Sequence, residues 1–224
     1  MKTIEIKHIL YLHLLNYTME IEEINRKFNV ELQRQMEGLL PSDHTYQLGM
    51  PSAILQSTDI PNLPIELRSS RLNDKSMQEN HPFDLHEIMD LPKAIQNPLA
   101  VFRSATHIGS YVIMTELEHE GKNHIIALEI NRYFGKIKSN SIRSIHYRSS
   151  NFHVLNWIDE GLMDYVDKKR MTKWLSKQQY NSADVRKPFS QTLYSPKQWS
   201  NSTEVRKLFN SVTKIVQNFE NAKF

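Results

Sequence analysis

The chain has no cysteine among its 224 residues. The absence of thiols excludes disulfides, thiolate nucleophiles and cysteine-ligated metal centres, and it suits the reducing conditions of a cytosol. Glycine is scarce too, and none of the six glycines forms a Gly-x-Gly-x-x-Gly or Walker A pattern. The sequence therefore predicts no dinucleotide or P-loop phosphate site.

Metal-binding patterns are missing as well. The ten histidines are scattered, with no His-Glu-x-x-His motif and no dense cluster of carboxylates. His8 and His13, like His81 and His86, are five residues apart, which is not a spacing that brings two side chains together on one helix face. We predict no metal site and no cofactor.

Long hydrophobic runs are absent at the N-terminus. The apolar run within residues 1–15 is too short to span a membrane, and no small-residue cleavage site follows it. We expect an amphipathic helix there rather than a signal peptide or a membrane anchor, and hence a cytoplasmic protein.

Charge is divided unevenly along the chain, although the whole carries only +3. Residues 1–131 have a net charge of −7, residues 132–187 one of +7, and residues 188–224 one of +3. This division indicates a basic part that meets a polyanion and an acidic part that turns away from it or covers it. A solvated lysine-rich surface explains the same charges, so charge alone leaves both interpretations open.

The periodicity of apolar residues predicts an α+β fold with N-terminal helices, an antiparallel sheet of four or five strands, and C-terminal helices. Prolines punctuate residues 41–80 and exclude a long helix there. The predicted helices cover residues 4–40, about 151–161, 168–179 and 201–221, and the predicted strands cover 99–103, 111–117, 124–130, 141–147 and 162–166.

Polar residues that can transfer protons or bind phosphate fall on or just beyond these strands. They are Arg103, Ser104, His107, Glu116, Arg143, Ser144, His146 and Arg148. A metal-free ribonuclease needs a base for the 2′-hydroxyl, an acid for the leaving 5′-oxygen, and cations beside the phosphorane. Histidine suits either proton role, and arginine holds phosphate oxygens in pairs.

Each candidate also has a plain structural explanation. His107 suits a solvated loop, and Glu116 suits an exposed strand position. Arg143 and Arg148 suit surface positions of an alternating strand, and His81 suits a turn. The residue types are therefore right for the chemistry, and the sequence leaves open whether they converge.

Short landmarks in a fixed order carry a resemblance to a known family. They are Leu48-Gly-Met-Pro-Ser52, Leu63-Pro-Ile65, His81-Pro-Phe83, Leu91-Pro92, Asn97-Pro-Leu-Ala-Val-Phe-Arg-Ser104, Thr115-Glu-Leu117, Ile142-Arg-Ser144, Asn156-Trp-Ile-Asp-Glu-Gly161 and Tyr165-Val-Asp-Lys168. Over about residues 46–185 the chain resembles the MuF C-terminal domain of phage and mobile-element proteins. The resemblance implies the barnase–EndoU–colicin–RelE-like (BECR) group of metal-independent ribonucleases, whose small curved sheet holds RNA on one face.

The resemblance implies His81, Ser104, Glu116 and Ser144 as catalytic candidates. The chain departs from the family pattern at His146-Tyr147-Arg148, where many members have an aromatic residue or proline followed by lysine. Arginine is a poor proton donor, so the acid role passes to His146 or His81. The candidate RNA and phosphate contacts are Arg103, Arg143, Arg148, Lys168 and Lys169.

The expected function is that of a toxin-like endoribonuclease of a phage, mobile element or bacterial defence system, acting in the host cytoplasm. It would cut tRNA or other structured RNA to a 2′,3′-cyclic phosphate and would have a cognate inhibitor protein as a possible partner. The alternative is an inactive module of the same fold that binds RNA or protein. We divide the chain into a helical segment (1–45), the BECR-like domain (46–187) and a helical tail packed on it (188–224).

Overall fold

The computed structural model of the chain describes residues 2–76, 84–147 and 152–177. The helices are α1 (Lys2–Met36), α2 (Ala53–Gln56), α3 (Ser69–Ser76), a single 3₁₀ turn (Leu85–Ile88), α4 (Leu91–Gln96), α5 (Phe152–Asp159) and α6 (Lys168–Lys177). The strands are β1 (Thr45–Gln47), β2 (Ile65–Arg68), β3 (Ala100–Arg103), β4 (Ser110–His119), β5 (Lys122–Phe134), β6 (Ile137–Tyr147) and β7 (Met163–Val166).

All seven strands form one sheet in the order β1-β2-β6-β5-β4-β3-β7. Every neighbouring pair is antiparallel except β2 and β6, which are parallel. The predicted α+β class is confirmed, but the predicted number of strands is too low. The sequence patterns miss β1 and β2, because these strands have only three and four residues and lie within the proline-punctuated segment.

One face of the sheet, called here the core face, packs against the N-terminal half of the chain. Phe28 and Leu32 of α1 are at most 1% exposed and share a buried cluster with Ile113, Ile126 and Ile145 of the central strands. Burial of a side chain of this size contributes about 1.5–3 kcal/mol. The C-terminal half of α1 is therefore core structure. The domain boundary at residue 45 stays a prediction, and the tail 188–224 with its predicted helix lies outside the described residues.

The opposite face, called here the open face, is covered at one end. Helices α5 and α6 bury Ile158 and Trp174 against Phe102 of β3 and Met114 of β4. On the same face of β5 and β6 the side chains are smaller or polar, such as Ala127, and remain partly exposed. A cleft on this face thus has helix α5 along one side, and β5 and β6, the two longest described strands, form its floor.

Gln96 at the end of α4 fastens the proline-punctuated segment to the core. Its side-chain oxygen accepts from the Ser52 N–H at 2.6 Å, and its amide nitrogen donates to the Met50 carbonyl at 2.8 Å. Gln96 and Ser52 are each 6% exposed, so the bond between them is shielded from water, whereas the bond to Met50 is only partly buried. One buried amide therefore provides partners for two backbone groups of the segment that precedes α2.

A cluster of the buried His124 with the partly buried His119 and Glu87 connects the 3₁₀ turn to the β4–β5 hairpin. The Glu87 carboxylate lies 2.7 Å from His119 Nδ1 and 3.3 Å from His124 Nε2. The His119 ring stacks on Tyr147 at 4.2 Å between centroids. Burial lowers the pKa of His124, the nearby His119 lowers it further, and Glu87 opposes the shift.

We expect Gln96→Leu to lower the free energy of unfolding by about 1–3 kcal/mol, because it leaves the Ser52 N–H buried without its partner. Chemical denaturation of the full chain measures this change. Gln47→Leu is the control, since Gln47 is exposed and its amide bonds only the Glu66 side chain. Equal effects of the two changes would contradict the fastening role of Gln96.

The lowered pKa of His124 predicts that stability falls as the pH drops below the ordinary histidine value of 6.5. In that range the unfolded chain binds a proton that the folded chain takes up only at lower pH, so protons favour unfolding. Thermal unfolding at about pH 7.5 and about pH 5.5 should show a smaller pH-dependent change in His124→Gln than in the unaltered chain. In His86→Gln, which removes an exposed histidine, the pH-dependent change should stay as in the unaltered chain. Unaltered pH dependence in His124→Gln would refute this prediction.

Candidate active site

A cavity of about 440 Å³ opens on the open face of the sheet. Strands β5 and β6 form its floor, the loop between β3 and β4 forms one rim, and Trp157 of α5 stands beside it. Its polar lining consists of Arg71, Ser104, Thr106, His107, Ser110, Glu129, Arg143, Ser144 and His146. The cavity therefore collects hydroxyl groups, imidazoles, guanidinium groups and one carboxylate from four separate parts of the chain.

A β-bulge in β6 decides which residues of this strand reach the cavity. Ser144 pairs with Ala127, but the next pair is Ile142 with Leu128, so Arg143 is an extra residue without a partner in the ladder. Regular alternation predicts Ser144 on the same side as Ile142, and this is wrong. Ile142 is buried in the core-face cluster, whereas Arg143 and Ser144 both line the cavity. Bulges commonly re-aim side chains beside active sites.

Glu129 of β5 lines the cavity but was missed by the sequence patterns, as were Arg71, Thr106 and Ser110. Its carboxylate lies 3.8 Å from Arg143 Nε and 3.3 Å from Arg132 Nε. The one available signal was a carboxylate within the mostly apolar run from Ile125 to Ile130, and such a residue also suits an exposed strand position. The pairing puts a proton acceptor beside a phosphate-binding type of side chain.

The loop after β3 is held in shape by its own backbone. Ser104 N–H donates to the Ser110 carbonyl at 2.9 Å, and Ser110 N–H donates to the His107 carbonyl at 3.1 Å. Ser104 Oγ accepts from the His107 N–H at 3.2 Å. These bonds place Ser104 and the exposed His107 at the rim. Because Ser110 pairs with Glu129 across the strands, this rim lies at the Glu129 end of the cavity.

His146 stands at the other end of the floor. It pairs with Ile125, four residues from Glu129 along β5, a separation of roughly 13 Å along the strand. His146 is partly buried, in contrast to the exposed His107. Tyr111 also borders the cavity, and burial raises the pKa of its hydroxyl, with Asp164 and Asp59 adding to the rise. The Tyr111 hydroxyl therefore keeps its proton at neutral pH.

Four other sequence candidates lie outside this cavity. Glu116 is exposed and 3.2 Å from Arg170 Nη1. Arg103 donates to the Gly161 carbonyl at 2.7 Å and lies 3.2 Å from Asp164, at the β3–β7 edge of the sheet. The remaining two, Lys168 and Lys169, are exposed at the start of α6.

Two further candidates, His81 and Arg148, fall outside the described residues. The structure thus brings together five of the sequence candidates, Ser104, His107, Arg143, Ser144 and His146.

Two further findings, on metal-binding groups and on membrane-spanning helices, concern the part of the chain that the structure describes. There, no group of three or more histidine, aspartate or glutamate side chains is arranged to hold a metal ion. No helix in those ranges is long and apolar enough to cross a membrane.

Part of the chain is similar to a known protein family. No curated protein and no solved structure matches the chain. Residues 72–173 match the family model of the phage MuF C-terminal domain. The matched range contains strands β3 to β7 and every lining residue of the cavity named above except Arg71. This match supports the resemblance seen in the sequence, and it covers the cavity-bearing part of the chain.

Proposed function

We propose that the cavity is the active site of a metal-independent endoribonuclease of the BECR group, which cuts tRNA or other structured RNA. The observation that supports this best is the pairing of Arg143 with Glu129 in one cavity with His146. Together they offer a base, an acid and a fixed cation, which are the groups that cleavage by the 2′-hydroxyl requires. The family match adds support for a phage-related protein.

The proposed chemistry assigns one role to each of these three side chains. The Glu129 carboxylate takes the proton from the 2′-hydroxyl, and the 2′-oxygen attacks the adjacent phosphorus. As the bond to the 5′-oxygen breaks, protonated His146 donates its proton to that oxygen. The products are a 2′,3′-cyclic phosphate and a 5′-hydroxyl, and Arg143 binds the phosphate oxygens as negative charge builds up.

The separation along the floor suits this division of roles. Roughly 13 Å between the backbones of Glu129 and His146 leaves room for a ribose and a phosphate between the two side chains. Ser104 and Ser144 supply hydroxyl groups within the same cavity. We assign the acid role to His146 because it is fixed on a strand, whereas His107 is exposed on a loop. His81 stays a second candidate for proton transfer.

The biological setting is part of the proposal. A nuclease of this kind in a phage, a mobile element or a bacterial defence system would act as a toxin in the host cytoplasm. Its producer would then need protection, which a cognate inhibitor protein that covers the cavity would provide. The basic segment 132–187, with a net charge of +7, suits contact with RNA phosphates.

The first prediction concerns the two proton-transfer residues. Glu129→Gln and His146→Ala should each lower the rate of RNA cleavage by about 10²–10⁴-fold, because each removes one proton-transfer step. Cleavage of total RNA in the presence of EDTA should continue in the unaltered chain, with a rate governed by groups that titrate near neutral pH. The rate is measured on full-length protein whose thermal stability is checked in parallel.

His86→Ala is the matched control, since His86 is exposed and lies outside the cavity lining. Full activity of His146→Ala would remove His146 from the mechanism, and a fall in His107→Ala instead would transfer the acid role. If EDTA abolishes cleavage and magnesium restores it, the metal-free mechanism is wrong. RNA binding without cleavage by the unaltered chain would favour the inactive-module alternative.

The second prediction concerns phosphate binding by Arg143. Arg143→Ala should weaken RNA binding and reduce the slope of log affinity against log salt by about 1, because one phosphate contact is lost. Filter binding or anisotropy over a salt series measures both quantities. Arg26→Ala removes the same charge from the exposed surface of α1 and should leave the slope as it is. Equal slopes for Arg143→Ala and the unaltered chain would show that Arg143 makes no phosphate contact.

A further inference from the structure

Strands β5 and β6 continue beyond the sheet as a two-stranded ribbon, called here the hairpin arm (131–139). The pairing of β4 with β5 reaches only to Glu129, and the pairing of β2 with β6 involves only Asn140 and Ser141. Beyond those residues the ribbon pairs only with itself, through Arg132–Ser139, Tyr133–Lys138 and Phe134–Ile137. Among the described residues, no strand pairs with the backbone of the arm on either side, and Ser139 at its base donates to the Glu66 side chain of β2 at 2.9 Å.

The arm is formed by local sequence signals. Asn131 has a φ of 57° where the register between the two strands shifts, and a bulge of this kind increases the twist of the ribbon. Gly135 has a φ of 62° as the first central residue of the two-residue turn, which is the position where a type II′ turn places glycine. The four residues of β5 in the arm extend about 13 Å.

The surface of the arm is basic and carries exposed apolar side chains. Arg132, Lys136 and Lys138 are its charged residues, and the segment 131–139 contains no aspartate or glutamate. Tyr133 is 68% exposed and Ile137 is 64% exposed. Side chains this exposed are not packed against the rest of the described chain, so they are free to contact a partner.

The base of the arm is joined to the cavity. Arg132 Nε lies 3.3 Å from the carboxylate of Glu129, which itself lines the cavity. A polymer that occupies the cavity and continues past Glu129 meets the arm next.

The basic side chains of the arm lie on both faces of the ribbon and at its turn. In the paired register Arg132 and Lys138 occupy neighbouring pair positions and so lie on opposite faces of the ribbon, while Lys136 is in the turn. Lysines and a bulge at a free strand edge discourage the addition of a strand from another protein. Cations on both faces match phosphates that lie on both sides of the ribbon.

We propose that the hairpin arm binds the phosphates of a base-paired RNA stem while the cavity holds an unpaired nucleotide of the adjoining loop. This inference rests on the proposed function and names its substrate class as stem–loop RNA. A cavity of about 440 Å³ beside Trp157 suits a single unstacked nucleotide. A stem presents two phosphate backbones to the two charged faces of the arm, whereas an isolated single strand presents one.

The test compares two RNAs on the full-length chain. One is a stem–loop, and the other is an unpaired oligonucleotide with the same loop sequence. The arm variant is Lys136→Ala with Lys138→Ala, which spares Arg132 because that residue contacts Glu129. The control variant is Arg26→Ala with Lys27→Ala, which removes the same charge from α1, where both side chains are more than 60% exposed.

The arm variant should bind the stem–loop about 10–100-fold more weakly at about 0.1 M salt, with a salt slope lower by about 2, because two phosphate contacts are lost. Its affinity for the unpaired oligonucleotide and its rate of cutting that oligonucleotide should stay as in the unaltered chain. The control variant should behave as the unaltered chain with both RNAs.

Equal losses in the arm and control variants, or equal losses for the two RNAs, would overturn the role of the arm in holding a stem. Altered self-association with unaltered RNA binding would show instead that the arm contacts protein. None of these outcomes would contradict the proposed cleavage of RNA in the cavity. A different outcome is binding of the stem–loop that depends on the arm, without cleavage of either RNA. That outcome would support the role of the arm in binding a stem and would contradict the proposed nuclease activity.

Discussion

The ladder between β5 and β6 runs from His124 beside Tyr147 to the turn at Gly135, and each functional feature of the molecule interrupts or extends it. The bulge at Arg143 shifts the register by one residue, which brings a guanidinium group towards Glu129 on the open face. A second shift near Asn131 marks the start of the hairpin arm. The backbone hydrogen bonds of this one pair of strands thus position the cavity floor and the arm together.

The two faces of the sheet differ because they are covered by different parts of the chain. Helix α1 and the proline-punctuated segment cover the core face, and their large apolar side chains exclude water from it. Helices α5 and α6 are short and bury only the β7-β3-β4 end of the other face. The part of this face formed by β5 and β6 is not covered by these helices. Polar side chains there are therefore held in place by the sheet and are accessible to solvent. This combination favours a binding site.

The ion pairs of the molecule are of two kinds: some join elements of the fold, and one lies at the wall of the cavity. Arg170 contacts Glu116 and also donates to the carbonyls of Asn97 and Pro98. Its guanidinium group therefore holds the start of α6 against β4 and against the residues that precede β3. Arg103 likewise joins β3 to β7 through Asp164. By contrast, Glu129 and Arg143 meet at the cavity wall, where a phosphate can compete for the arginine.

Much of the fold follows from local sequence patterns. Apolar periodicity was enough to predict β3, β4, β7, helix α1, the sheet-paired parts of β5 and β6 and the α+β class, but not the extension of β5 and β6 over residues 131–140. The short strands β1 and β2 could not be predicted in this way, since they are held by pairing with distant segments rather than by their own pattern. The candidate site was predicted in part, through Ser104, His107, Arg143, Ser144 and His146.

The sequence by itself determined the types of chemistry available: no thiol, no phosphate loop, a basic second half, and histidine and arginine on strands. Only the tertiary structure decided which of these side chains meet. The bulge that turns Arg143 and Ser144 to one face depends on the register between two strands, which no local pattern specifies. For the same reason Glu129 joins the cavity while Glu116, equally polar and also on a strand, is held outside it by Arg170.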